Sequence, residues 1–147
     1  MADEIALSAL LLGAASTLVE AIHEGTSRRG FGDLRPTHGF VFARLAPDGA
    51  TISQIAEHLG VTKQAASQLV EELVGKGYVE RHPHPGDARA KVVVLTERGW
   101  ACTRAADEAA IEAVRSWIDV LGPDRVSELT NDLRRVVRPG RLRPAVW

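Results

Sequence analysis

The sequence predicts a mainly α fold with a small β-hairpin, and three observations carry that prediction. Long stretches near both ends repeat apolar residues at spacings of three, four and seven, as helices with a buried face do. Between them, residues 51–75 hold two short helical segments joined by a turn at Gly60. Directly after come two β-prone runs, Tyr78-Val79-Glu80-Arg81 and Lys91-Val92-Val93-Val94-Leu95, separated by a Pro- and Gly-rich stretch.

In chain order, Ile5, Leu11, Leu12, Ala15, Leu18, Val19 and Ile22 set the first helical stripe, widened by Leu7, Leu10 and Ala14. Gly25 through Gly32 reads as a loop. Pro36 suits the first turn of a second helix that carries Phe40, Val41 and Leu45 and ends near Pro47-Asp48-Gly49. Thr51 with Gln54 three residues on forms a capping-box start for a two-turn helix with Ile52, Ile55, Ala56 and Leu59 on its apolar face. Gly60 then turns the chain, Val61 is expected to plug inward, and Thr62 caps a helix whose inner face is Ala66, Leu69, Val70 and Leu73. Gly75 and Gly77 end it. The stretch from His82 to Arg89 is hostile to helix and ladder alike, which predicts a long-tipped hairpin. Thr96 caps a long helix to about Val120, and Gly122-Pro123 breaks it before a last helix ending near Pro139.

Composition narrows the function. The 147 residues suit a single domain, 1–147, able to bury a core without a staple. The only cysteine, Cys102, excludes an intrachain disulfide and multi-cysteine zinc modules, and reads as an inert buried thiol. Ile5 to Val19 carries no charge, yet Asp3 and Glu4 precede it where a signal peptide has bases, and Glu20, His23 and Glu24 close it before a bilayer is spanned. The expectation is therefore no membrane and a cytoplasmic location. A net charge of -1 argues against indiscriminate coating of nucleic acid and leaves room for a specific reader. Residues 1–27 hold only acids, whereas 133–147 hold only bases, so the two ends attract, within or between chains.

Two short helices across a tight turn, followed at once by a hairpin, are the parts of a winged helix-turn-helix. The first helix of the pair braces the second, whose polar face of Thr62, Lys63, Gln64, Ser67 and Gln68 fits a DNA major groove. Gln pairs bidentately with adenine and Lys with guanine, while Thr and Ser reach base or phosphate; Ser53 on the bracing helix joins the set. Glu71 and Glu72, one turn on, are expected to face away from phosphates, which would repel them. At the hairpin tip Arg89 is suited to a narrow minor groove. Arg81 and Lys91 flank it on phosphates, and Asp87 either bonds the tip backbone or pairs with Arg89. Residues 51–98 balance six bases against six acids, so placement of charge matters more than its total.

Residues 34–99 resemble the MarR family of bacterial transcription regulators. The resemblance lies in Ile52-Ser53-Gln54-Ile55-Ala56-Glu57-His58-Leu59-Gly60-Val61, the helix through Leu73 and Gly77, and the wing pattern Asp87-x-Arg89 followed by Leu95-Thr96 and Gly99. It implies a winged helix-turn-helix lobe over 34–99 plus a helical dimerisation lobe built from the N- and C-terminal helices, 1–25 and 100–138. It also implies a homodimer that straddles a pseudo-palindromic site on double-stranded DNA. Independently, the apolar first helix and a fifth helix with Ile111, Val114, Trp117, Ile118 and Leu121 need a partner surface, which a symmetric dimer supplies; the alternative is a single chain folding them into its own core. Gln68 and Ala65 stand where relatives often place a basic residue and a hydroxyl, so affinity leans on the wing and on DNA shape.

The resemblance further implies a ligand-responsive repressor with a small aromatic or phenolic effector, for which His38, Phe42 and Trp100 are the candidate contacts, with His23 behind them. No cofactor and no metal are expected: His82 and His84 lack further ligands at a usable spacing. Nor is an enzyme, since the chain carries no Walker loop, Gly-x-Gly-x-x-Gly turn, His-Glu-x-x-His helix or nucleophile elbow. The rival reading is a winged-helix module that binds protein instead of DNA.

Overall fold

The computed structural model describes residues 1–138. Its elements run α1 (Ala2–Arg28), α2 (Pro36–Leu45), α3 (Ile52–Leu59), α4 (Lys63–Gly75), β1 (Val79–His84), β2 (Asp87–Leu95), α5 (Glu97–Leu121) and α6 (Pro123–Val136). The fold is thus mainly helical with one antiparallel hairpin, as the periodicities predict. It divides into two compact units. One holds residues Met1–Pro36 with the described chain from Ala105 on; the other is Thr37–Arg104.

In the helical unit α1 runs further than its loop-like C-terminal sequence suggests. Gly25 does not begin a loop. It is buried inside the helix, where a Cβ would lie 2.6 Å from the Cβ of Ala109 on α5. A glycine in a helix costs about 1 kcal/mol against alanine, but here its missing side chain is what allows the two helices to touch. Just past the helix, Arg29 reaches Glu108 at 3.2 Å and Glu112 at 2.5 Å on α5, and also bonds the Gly25 carbonyl. The Glu112 carboxylate, outweighing burial and helped by Glu108, raises the guanidinium pKa above its ordinary value. The N-terminal half of α1 is bare: Ile5, Leu7, Leu10, Leu11 and Leu12 are all exposed. By length and composition alone α1 is apolar enough to cross a membrane. Ile111, Ile118, Val120 and Leu121 on α5 are exposed as well, and α6 buries no residue.

The second unit has a true core. Val41, Phe42 and Leu45 of α2, Ile55, Ala56 and Leu59 of α3, Ala66, Val70 and Leu73 of α4, and Tyr78, Val79, Val93 and Leu95 of the hairpin are all buried. Helical and strand periodicity put these residues on the inward faces, so the pattern that predicts the elements also predicts most of the core. Leu69 is only half-buried, and Val61 is 40% exposed instead of plugging inward. The reason is local. Gly60 adopts the left-handed conformation at φ 68°, and the Val61 amide donates to the Ala56 carbonyl, so backbone bonds alone close the turn and the side chain faces outward.

The hairpin pairs further than its composition predicts. Arg81 lies opposite Val93, His82 opposite Val92, and Pro83 opposite Lys91, before a register shift at His84. Pro83 lacks an N–H, but in a two-stranded sheet every strand has an open edge where none is required. Ala50 adds a single bridge to Val93, exchanging bonds of 3.0 and 2.8 Å. Hydrophobic patterning does not announce a one-residue bridge.

Candidate nucleic-acid interface

Two caps set the helix pair. The Thr51 hydroxyl accepts from the Gln54 amide at 3.2 Å while the Gln54 side chain accepts from the Thr51 amide at 3.0 Å, completing the capping box read from the sequence. Thr62 accepts from the Ala65 amide at 3.1 Å and starts α4. With Ala66, Val70 and Leu73 buried, helical geometry turns Thr62, Lys63, Gln64 and Gln68 to solvent and leaves Ser67 half-buried. Ser53 is exposed in the first turn of α3. The resulting face is polar and cationic at its N-terminal end, where a helix dipole and unsatisfied amides favour an anion.

The hairpin supplies a second surface in the same unit. Asp87, Arg89 and Lys91 are exposed, and an Asp87 carboxylate oxygen accepts from the Arg89 backbone amide at 2.9 Å. Of the two arrangements open to Asp87 in the sequence, the structure shows the backbone bond, an Asx turn that fixes the chain at Arg89 and leaves its guanidinium outward.

Three residues sit differently from a freely projecting contact. Arg81 is half-buried on β1 and its Nη2 is 2.5 Å from Oε1 of Glu71 on α4. His38 is fully buried on α2, and its Nε2 lies 3.0 Å from Oε2 of Glu72. Phe42, one turn on from His38, is buried against Tyr78 with ring centroids 5.6 Å apart. Trp100 is half-buried in the first turn of α5, and His23 half-buried on α1. Thus the structure gathers Ser53, Thr62, Lys63, Gln64, Ser67, Gln68, Arg81, Asp87, Arg89 and Lys91 into one unit, and places His38 and Phe42 in that unit's core. The partners of Glu71 and Glu72 are not legible in sequence, because both pairs join residues far apart in the chain. The only available signal is the two carboxylates standing together on a helix that otherwise presents amides, hydroxyls and a lysine.

Residues 33–90, covering the helix pair and most of the hairpin, match the family model described as MarR family. The structure superposes on that of wild-type MarR from E. coli with a TM-score of 0.73 at 25% identity, covering 90% of this chain and 96% of that one. Over residues 33–90 the chain is thus similar to the MarR family. The chain is also 30% identical over 95 residues to the HTH-type transcriptional regulator PetP of Rhodobacter capsulatus, covering 65% of this chain and 57% of PetP. A Mycobacterium tuberculosis relative of uncharacterised role is 31% identical over 87 residues, and the match spans 61% of its length. A cysteine-to-serine mutant of E. coli MarR, solved in complex with operator DNA, shares the fold with a TM-score of 0.72 at 24% identity, covering 92% of this chain and 96% of that one. Regulators of this family are non-enzymatic.

Proposed function

We propose that this chain is a MarR-family, sequence-specific, double-stranded DNA-binding transcription regulator: a cytoplasmic, ligand-responsive repressor that acts as a homodimer on a pseudo-palindromic site. The observation that carries the reading is the pairing, in one unit, of the exposed N-terminal face of α4 with a hairpin whose tip is pinned by Asp87 around an outward Arg89. Gln64 and Gln68 supply the amides that read adenine in the major groove, and Lys63 a donor for guanine. Thr62, Ser53 and Ser67 hold register on phosphates. Arg89 enters the minor groove with Lys91 on the adjoining backbone. Arg81 does not join them, its guanidinium being held by Glu71.

The homodimer rests on the bare apolar residues of α1 and α5, since contiguous apolar surface of that kind marks a partner-binding face. A self-complementary interface is its commonest solution. A small aromatic or phenolic effector acts in this reading through Trp100, His38 and Phe42. Because His38 holds Glu72 of α4, disturbing His38 moves the helix that reads DNA.

Fluorescence anisotropy tests the proposal, with a duplex of about 25 base pairs from upstream of the gene against a scrambled duplex, at two salt concentrations. Preference for the upstream duplex by about a thousandfold or more supports sequence reading. Arg89→Ala then weakens binding to every sequence and flattens the salt dependence, whereas Gln64→Ala chiefly relaxes base preference. Equal affinity for both duplexes, vanishing as salt rises, refutes the regulator and favours a protein-binding module.

A further inference from the structure

We propose that Glu71 is a charge mask for Arg81, holding its guanidinium against α4 and so suppressing unselective attachment to DNA phosphates. The inference rests on the DNA-binding reading above and assigns the specificity of that same surface to a residue outside it. Four cations stand on α4 and the hairpin near the surfaces that meet DNA: Lys63, Arg81, Arg89 and Lys91. Among the described residues Lys63, Arg89 and Lys91 make no ion pair, whereas Arg81 is joined to Glu71 at 2.5 Å. The pair is not well suited to a stabilising role, because the Glu71 side chain is 61% exposed and exposed ion pairs contribute little to folding. Its effect on the field is larger than its effect on the fold. Arg81 lies opposite buried Val93 in the hairpin register, which turns its stem toward α4 and within reach of Glu71.

Nonspecific affinity counts phosphates neutralised, and a cation already neutralised by a carboxylate does not count. The neighbouring carboxylate, Glu72, lies against His38, whereas Glu71 is paired with Arg81 of the hairpin. Removing its charge frees a fourth cation on a flexible stem, on the strand that leads to the wing tip. One added phosphate contact multiplies the binding constant by about the salt concentration raised to −0.9, roughly eightfold at 0.1 M and fourfold at 0.2 M for each protomer bound.

The test uses the whole chain and a duplex of unrelated sequence, titrated by anisotropy across a range of salt. Glu71→Gln is expected to bind about eightfold tighter at 0.1 M salt per protomer engaged, with the log–log salt slope steeper by about 0.9. In an Arg81→Gln background the same Glu71→Gln change is expected to give no gain, because the masked cation is gone. Circular dichroism confirms that each variant is folded. Unchanged or weaker binding by Glu71→Gln overturns the mask, and so does an equal gain in the Arg81→Gln background, which would mean that Glu71 repels phosphate directly. Failure of the unsubstituted chain to bind any duplex at low salt overturns the DNA-binding reading itself, and the mask with it.

Discussion

Replacing Gly99 with alanine tests how the hairpin root is fastened to α5. A Cβ at this position would lie 2.3 Å from the Tyr78 carbonyl oxygen, 3.0 Å from Cδ2 of Leu95 and 3.2 Å from its Cβ. The oxygen is backbone and cannot swing away cheaply, since it accepts from the Thr96 amide at 3.0 Å. Thr96 in turn donates its hydroxyl to the Gly77 carbonyl at 2.7 Å and accepts from the Gly99 amide at 3.2 Å. Overpacking costs about 1–3 kcal/mol, and the upper end applies where a backbone group must move. Straining one hydrogen bond adds about 1 kcal/mol, and the helical preference of alanine returns up to about 1 kcal/mol. The net loss is about 2–3 kcal/mol, or a fall in Tm of roughly 6–10 °C for a chain of this size. Calorimetry at fixed protein concentration measures it, since the Tm of any self-associating chain moves with concentration. Gly39→Ala is the control: nothing lies within 4 Å of its added Cβ on α2, so it is expected to raise stability by about 0.5–1 kcal/mol. A Gly99→Ala protein that melts within about 2 °C of the unsubstituted chain, a margin that corresponds to less than about 1 kcal/mol at this size, refutes the steric argument.

Two further outcomes concern the helical unit. Leu10 on α1 is 70% exposed, so Leu10→Asp is expected to leave the protomer folded but split the proposed dimer. Burying one leucine is worth about 1.5–3 kcal/mol and counts twice across a two-fold axis, so dissociation rises by at least about a hundredfold, which light scattering after size exclusion reads directly; an unaltered dimer would place α1 outside the interface. Arg29→Gln removes the links to Glu108 and Glu112 and lowers stability by an amount that does not change between pH 7 and pH 9 in urea denaturation. A pKa raised on folding adds stability below the unfolded value and loses it only as pH climbs through the folded one, and both lie far above this window for an arginine. A loss that shrinks by pH 9 would show that a group titrating inside this window, and not the arginine, carries the effect.

Much of the fold is legible in the sequence because its signals are local. Thr51 with Gln54, Thr62, Thr96 and Gly122-Pro123 mark helix ends, since a cap or break is made within a few residues of itself. Apolar periodicity likewise names most of the winged unit's core. Some of the misreadings come from what lies outside the local stretch. Gly25 looks like the start of a loop, but Ala109 selects a glycine inside the helix at that point. Pro83 looks like a ladder breaker until the hairpin is seen to have an open edge.

The site divides the same way. Sequence alone determines which side chains α4 turns outward, because a 3.6-residue period with Ala66, Val70 and Leu73 inside leaves Thr62, Lys63, Gln64 and Gln68 outside. It also determines that Asp87, two residues before Arg89, is in reach of the turn it pins. Only the tertiary structure decides which charges are already paired. Glu71 meets Arg81 ten positions on, and Glu72 meets His38 thirty-four positions back, as their numbers in the chain give. Ion pairs depend on distance in space, and a linear sequence carries that distance only once the core has closed.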